Sequence, residues 1–451
     1  MNNGDLLTNS NLDAEDTAKI RNEIMTLISK YAESAHAEKP FIPGKSLIPV
    51  SGKVFGEAEI QMLVSSSLDF WLTTGRFNKE FEKRLSEFLG IKHVITTNSG
   101  SSANLLALSS LTSEQFGERS LKPNDEVITV AAGFPTTVNP ILQNNLVPVF
   151  IDVKIPEYVI DENQIEENIT KKTKAIMIAH TLGNSFNIKK ITDIAEKHDL
   201  WLIEDCCDAL GTTYDQKFVG TFGDLSTLSF YPAHQITMGE GGAVMTNNSQ
   251  LKRIVESFRD WGRDCYCLPG KSNTCGKRFE WKLGDLPFGY DHKYTYSHVG
   301  YNLKITDMQA AVGLAQLDRL PEFIKTRKEN FQFLYDNLIA FKEFFILPTS
   351  SENCNPSWFG FPITVRNNIS FSKESLVNYL ASKLIDTRPI FAGNLIKQPY
   401  FKNKKFKTSE TLSNTEKIMS QSFWIGVFPG LSKEMLEYIV QQFETFIMEN
   451  E

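Results

Sequence analysis

Six short apolar runs recur between residues 94 and 230, separated by segments of helical apolar spacing. They are Val94–Thr97, Glu126–Val130, Val147–Ile151, Ala175–Ala179, Trp201–Ile203 and Ser226–Phe230. Runs this short and this apolar suit strands buried on both faces. Helices between them return the chain, so that successive strands pair in parallel. The pattern predicts an α/β domain with a mainly parallel sheet flanked by helices. Phe81–Leu89 and Ala103–Leu111 are two of the expected helices.

The rest of the chain does not follow this rhythm. Residues 1–15 read as a frayed tail, Ala18–Ala37 as a helix with Ile20, Ile24, Leu27, Ile28 and Tyr31 on one face, and Pro40–Gly56 as an extended arm. Residues 262–290 are rich in Gly, Pro, Cys and aromatics and read as a functional loop. A helix over Arg319–Leu338 leads into a unit of mixed strands and helices. The expected organisation is an N-terminal helix and arm (1–55), a large domain (56–320) and a smaller C-terminal α+β domain (321–451).

Charge and composition narrow the function classes. The 451 residues carry 47 Lys and Arg against 54 Asp and Glu, a net charge of −7. That balance argues against a nucleic-acid or membrane-surface binder and leaves room for a local basic site. No apolar run approaches the ~20 residues of a membrane helix. Met1 to Asp16 is polar and acidic, unlike a secretory signal. The expectation is a cytoplasmic protein whose six cysteines stay reduced and serve as ligands, nucleophiles or core residues.

Three motifs suit chemistry, and each alone has a plainer reading. Thr97-Asn98-Ser99-Gly100-Ser101-Ser102-Ala103-Asn104 follows a strand and opens a helix. Its small residues and free N–H groups suit a phosphate, and equally a Ser-capped core helix. Trp201-Leu202-Ile203-Glu204-Asp205 ends an apolar strand in two acids, where α/β folds bind ligands. A carboxylate there can keep a pyridine nitrogen protonated, or simply be a solvated strand end. Ser229-Phe230-Tyr231-Pro232-Ala233-His234 precedes Gly239-Glu240-Gly241-Gly242, and a lone His or a Gly-rich turn is usually structural.

Taken in order, the three motifs resemble the sugar aminotransferase family of fold-type I pyridoxal phosphate enzymes. The resemblance implies that Asp205 faces the pyridine nitrogen. It also implies that Gly100, Ser101, Ser102 and Ser229 bind the phosphate. Phe134, in Ala131-Ala132-Gly133-Phe134-Pro135-Thr136-Thr137, is expected to stack on the ring; core packing is the alternative. Asn302 resembles the residue that reaches the neighbouring subunit's phosphate, which implies a homodimer. Five residues after the Ser, the family carries the Lys that bonds covalently to the cofactor; here that position is His234. Imidazole forms no stable bond of that kind but moves protons near neutrality.

A fourth constellation is Cys207, Cys265, Cys267 and Cys275, spaced C-x57-C-x1-C-x7-C. In an extended segment Cys265 and Cys267 point to one side. Four thiolates suit a [2Fe–2S] cluster, and also structural zinc, although zinc knuckles usually have two to four intervening residues. Small buried cysteines are the plain alternative.

His234 together with this spacing narrows the resemblance to the iron–sulfur, pyridoxamine 5'-phosphate (PMP) 3-dehydrase branch of the family, over about Ile20 to Phe446. Trp71–Phe77, Glu204–Gly211, Gly289–His298, Gly300–Asp307 and Phe423–Gly426 carry it further. Relatives often have a second His where this chain has Gln235 and an extra Cys where it has Lys271. The resemblance implies removal of the C3 hydroxyl from a CDP-linked 4-keto-6-deoxyhexose in 3,6-dideoxyhexose (O-antigen) biosynthesis. An NADH-dependent flavin/iron–sulfur reductase is the implied partner. The alternatives are a dehydrase of a dTDP-linked 4-keto sugar and a non-catalytic zinc-binding relative. Arg388 is a candidate diphosphate contact, and Lys271, Lys277 and Arg278 are candidates for attracting the reductase; solvated surface is the alternative for each and the expected state of Lys397.

Overall fold

The computed structural model describes residues 14–37, 39–267 and 269–450. Most of the expected N-terminal tail lies outside the described residues; Ala14 and Glu15 already belong to helix α1 (Ala14–Ala35). The arm leads to α2 (Glu57–Asp69) and α3 (Arg76–Leu89). Strands β1 (His93–Thr97), β2 (Glu126–Val130), β3 (Val147–Ile151), β4 (Thr173–Ala179) and β5 (Trp201–Asp205) follow. A hairpin of β6 (Thr213–Tyr214) and β7 (Lys217–Phe218) leads to β8 (Leu225–Ser229) and β9 (Gly242–Thr246). Helices α4 (Gly100–Ser110), α5 (Pro135–Gln143), α6 (Ile188–Lys197) and α7 (Ser249–Arg259) complete the layers.

The main sheet runs β8-β5-β4-β2-β3 in parallel, and β9 and then β1 extend the β8 edge antiparallel. Strands β2, β3, β5, β8 and β9 are buried at every position. This explains why they read as near-continuous apolar runs rather than alternating ones. The expected strands are all present. β9 was not expected: Gly239–Gly242 reads as a turn, but Gly242 lies in the ladder opposite Thr97 and Ser229. A Cβ on Gly242 would sit 2.4 Å from the Ser99 carbonyl oxygen, so the position needs glycine for close approach.

The helix expected from Arg319 is α8 (Asp307–Leu338), opened twelve residues earlier by a capping box of Thr306 and Gln309. Its first half packs Leu314, Leu317, Leu320 and Phe323 into the large core. Its second half packs Phe331, Leu334 and Leu338 into a second core. That core is built on β10 (Phe345–Ile346), β12 (Gly360–Val365), β13 (Arg388–Pro389) and β15 (Ser422–Gly426), in the order β10-β12-β15-β13. The short β11 (Cys354–Asn355) pairs with β6, and β14 (Lys407–Thr408) adds to β3. Helices α9 (Lys373–Ser382), α10 (Ser413–Gln421) and α11 (Lys433–Asn450) complete this half. No helix of the described residues is long and apolar enough to cross a membrane.

The start of α3 depends on a residue far away in sequence. Its N-cap, Gly75, has no side chain to cap the helix. The buried Asp307 carboxylate accepts from the amides of Gly75 (2.9 Å), Phe77 (3.2 Å) and Asn78 (2.8 Å) instead. Three charge-assisted bonds at a positive helix end tie α3 to the first turn of α8. Replacing Asp307 with Ala is expected to lower stability by about 2–3 kcal/mol, because buried amides lose a charged acceptor. Urea unfolding followed by tryptophan fluorescence measures this, and a loss below about 0.5 kcal/mol, the scale of an ordinary surface change, would refute the tie.

Candidate active site

The C-terminal ends of β4, β5 and β8, the N-termini of α4 and α5, and Arg388 and Trp424 of the second core surround a cavity of about 680 Å³. Asp205 ends β5 and is 4% exposed. Its Oδ2 accepts from Asn104 Nδ2 (2.8 Å) and Thr137 Oγ1 (2.7 Å), and its Oδ1 from the Cys207 amide (3.1 Å). Thr227 Oγ1 donates to Asn104 Oδ1 at 2.6 Å, which turns the amide's N–H toward the carboxylate. The neighbouring Glu204 faces the other side of the sheet. It accepts from the amides of Gly220, Phe222 and Gly223 and from His180 Nε2 (3.0 Å). Burial raises its carboxyl, but His180 and the amides outweigh burial and hold it below the ordinary range. The two adjacent acids therefore have separate tasks.

Gly100 opens α4 behind Ser99, whose Oγ caps the Ser102 amide at 3.1 Å. A Cβ on Gly100 would lie 2.4 Å from Ser229 Cβ. Helix start and strand end thus meet at the one residue without a side chain. Gly100, Ser101 and Ser229 line the cavity there, and this amide-lined cradle fits a phosphate dianion. Phe134 stands at the mouth, 51% exposed, with its ring edge-on to Phe391 at 5.8 Å. Cradle, aromatic face and buried carboxylate suit the phosphate, ring and ring nitrogen of a pyridoxal or pyridoxamine phosphate.

His234 lies between β8 and β9 on the opposite wall, its ring packed against Phe359 at 5.2 Å. Burial, and then the Arg327 guanidinium, push its imidazole down to about 4 against an upward pull from Asp205. At neutral pH it is therefore an uncharged base. Nδ1 is fully enclosed and has no protein hydrogen-bond partner, while Nε2 is not enclosed. Asp208 Oδ1 approaches Nδ1 to 3.6 Å, and burial and Asp205 raise that carboxyl to about 7. No lysine lines the cavity among the described residues.

The other expected site residues are placed differently. Ser102 turns to Ser99 (Oγ to Oγ 3.0 Å) and does not line the cavity. Asn302 is exposed and bridges to Asp260 through its backbone, outside its own chain's cavity. Cys207 lines the cavity; Cys265, Cys267 and Cys275 do not. Cys267 Sγ lies 3.1 Å from Thr274 Oγ1, and Cys275 Sγ accepts from the Lys277 amide (3.4 Å). Among the described residues only His180, Glu204 and Cys206 bring three possible ligand atoms within 4.8 Å. The four thiols are thus not gathered around a single ion as tetrahedral zinc requires. Arg388 lines the cavity beside Asp386, Lys397 pairs with Glu416 at the surface, and Arg278 is paired with Asp291 (2.6 Å). Sequence reading missed Asn104 and Thr137 as partners of Asp205, although both stand inside the quoted motifs. It also missed Asp208, which stands in the quoted Glu204–Gly211 stretch, and Arg327, for which no local pattern gives a signal.

Residues 54–444 match the DegT/DnrJ/EryC1/StrS aminotransferase family. The chain belongs to that family. The lipopolysaccharide biosynthesis protein RfbH of Salmonella typhimurium is 62% identical over 427 residues, covering 95% of this chain and 98% of that one. The dTDP-4-dehydro-2,6-dideoxy-D-glucose 3-dehydratase of Saccharopolyspora spinosa is 48% identical over 407 residues, covering 90% and 88%. The solved structure of an E. coli GDP-4-keto-6-deoxy-D-mannose-3-dehydratase with bound hydrated PLP superposes with a TM-score of 0.78 at 28% identity. It covers 88% of this chain and 98% of that one. The fold is therefore the expected fold-type I aminotransferase-like α/β architecture.

The cradle makes a direct prediction. Gly100→Ala is expected to weaken PMP binding by at least about tenfold, because the new methyl must displace Ser229 or the helix start. Ser101→Ala, which keeps the backbone amides, is expected to cost less than about fivefold, one neutral hydrogen bond. Fluorescence titration with PMP ranks them, and equal losses would mean that side chains rather than amides hold the phosphate.

Proposed function

We propose that this chain is a PMP-dependent 3-dehydratase of a nucleotide-linked 4-keto-6-deoxy sugar in deoxysugar biosynthesis, with CDP as the nucleotide. The observation that carries the reading is His234: an uncharged, half-enclosed imidazole in a cavity that no lysine lines among the described residues. Without a lysine the cofactor stays free to leave and to work in its amine form. In that form it supplies an amine for the sugar's C4 ketone and an electron sink for loss of the C3 hydroxyl. Asp205, fixed by Asn104 and Thr137, holds the ring nitrogen's proton. His234 Nε2 takes the proton that must be moved, and Phe134 and Phe391 keep water from one face of the ring.

Arg388 is the one Arg or Lys on the cavity wall among the described residues, and its fork suits the diphosphate. Cys207, Cys265, Cys267 and Cys275 would hold a [2Fe–2S] cluster, which supplies single electrons. An NADH-dependent flavin/iron–sulfur reductase would feed it, and exposed Lys271 and Lys277 support docking of an acidic partner at this loop. Exposed Phe70, Leu72, Phe288 and Val299, and Asn302 outside its own cavity, support a homodimer with a shared phosphate site. The 48% identical relative named for a dTDP-linked sugar favours a second reading in which the nucleotide is dTDP.

The test is an anaerobic visible spectrum with iron and sulfide assay, followed by turnover of CDP- and dTDP-linked 4-keto sugars. About two irons and two sulfides per chain with turnover of the CDP sugar is the expected result. A protein that stays colourless after reconstitution and releases no 3-deoxy sugar would overturn the reading. His234→Asn is expected to lower the dehydration rate by about 10²–10⁴-fold and leave PMP affinity within about threefold, a change below one hydrogen bond. Because the imidazole is held down to about 4, it stays neutral as pH falls from 8 to 5 and gains its proton only below that. Single-turnover dehydration should therefore show no acid limb near 6.5. A limb there would mean that His234 is an ordinary, solvated imidazole or that another group is the base.

A further inference from the structure

Arg327 of α8 is 1% exposed, and no carboxylate lies within 4.0 Å of it among the described residues. Its hydrogen bonds go to carbonyl oxygens, and the Asp208 carboxylate, beyond 4.0 Å, is the charge that favours it. Nη1 donates to Trp358 (3.3 Å) and Phe359 (3.2 Å), and Nη2 to Ala233 (3.4 Å) and His234 (3.1 Å). One guanidinium thus pins the backbone of the proposed base to the segment that enters β12. Gln235 makes a second pin between the same parts: its Nε2 donates to the carbonyls of Asp208 (2.5 Å) and Ser357 (3.0 Å). Burying an Arg whose one opposite charge, Asp208, is not in hydrogen-bond contact is expensive, so the arrangement calls for a task that a hydrophobic residue could not perform.

A second, much smaller cavity of about 10 Å³ shares His234 with the first. His234, Gln235 and Arg327 all line it, with Gln316 and the arm at Gly52–Val54. Three enclosed atoms of these residues have no protein partner: His234 Nδ1, Gln235 Oε1 and Arg327 Nε. A space of about one probe sphere edged by two to four polar atoms is what one buried water requires. The atoms also match in kind. Arg327 Nε–H and His234 Nδ1–H donate, and Gln235 Oε1 accepts. Asp208 Oδ1, at 3.6 Å from Nδ1, lies just beyond hydrogen-bond reach.

We infer that Arg327 and Gln235 are positioning residues for His234, holding its backbone directly and its Nδ1–H through one water in this smaller cavity. The inference rests on the proposed role of His234 as the base. A water that accepts from Arg327 Nε–H and donates one proton to Gln235 Oε1 keeps one acceptor site and one proton for Nδ1, and the Asp208 carboxylate oxygen facing Nδ1 at 3.6 Å favours the Nδ1–H tautomer of the two. That leaves the Nε2 lone pair directed at the cofactor cavity. Gln235 Oε1 engages one of the water's two protons, which leaves the water less able to donate to Nδ1 and so supports the Nδ1–H tautomer that Asp208 favours.

The test uses the PMP-loaded full chain labelled with ¹⁵N-histidine, read by NMR for the tautomer of His234, alongside steady-state turnover. The wild type is expected to be Nδ1–H, with one ordered water in a crystal structure within 3.2 Å of the three atoms, ordinary hydrogen-bond reach. Gln235→Leu is expected to mix the tautomers and lower kcat by about tenfold, a factor set by roughly one hydrogen bond, while KM and the unfolding midpoint stay near wild type. Arg327→Met is expected to do the same more severely and Arg327→Lys to recover part of the loss; if Arg327→Met does not fold, Gln235→Leu decides. A wild-type Nε2–H tautomer, or a Gln235→Leu protein with unchanged tautomer and kcat, would overturn the inference. If the wild type is Nδ1–H but dehydrates no nucleotide sugar, the proposed function fails and the positioning stands, because the NMR readout does not depend on turnover.

Discussion

The carboxylate of Asp205 organises the large domain's functional end. A buried charge must be met by donors or it does not stay charged. Here the donors come from three places: Asn104 on α4, Thr137 on α5 and the Cys207 amide just beyond β5. None is near another in sequence. They converge because a parallel sheet delivers its strand ends and helix starts to one edge. Thr227 on the adjacent β8 orients Asn104 in turn. The proposed phosphate cradle at Gly100 and Ser229 belongs to the same α4 and β8, so both ends of the proposed cofactor site are set by the same packing.

The opposite wall is set by α8. One helix serves both cores and sends Arg327 between them to the His234 loop. Its first residue, Asp307, caps α3. The helix therefore relates three parts of the fold: the start of α3, the proposed base His234, and the second core that carries Arg388 and Trp424 to the cavity. A small rotation of α8 would disturb all three, which is why its polar anchors are fully buried rather than at the surface.

Much of the sheet was legible because strands buried on both faces leave uninterrupted apolar runs. β9 was not, since the glycines that let it approach Ser99 also spell a turn. The early start of α8 was hidden as well. Pro321 stands two residues into the expected Arg319–Leu338 span, a common place for a helix to begin, yet packing carries the helix through it. At the site, the motifs around Gly100, Phe134, Asp205, Ser229 and His234 could be read because small residues, strand-end acids and a substituted lysine have chemical meaning in one dimension. Gln235 was noted only as a departure, and Arg327 not at all, because nothing local distinguishes a tethering arginine from a surface one.

The sequence by itself determined the layer architecture, the family resemblance and the loss of a covalent anchor, since each depends on residue type at short range. Tertiary structure alone decided which groups tune those residues. It placed Glu204 and Asp205 in separate networks, enclosed Nδ1 of His234 while leaving Nε2 accessible, and met a buried guanidinium with four carbonyls. Electrostatic tuning depends on distance and desolvation across the fold, and neither is written in the order of residues along the chain.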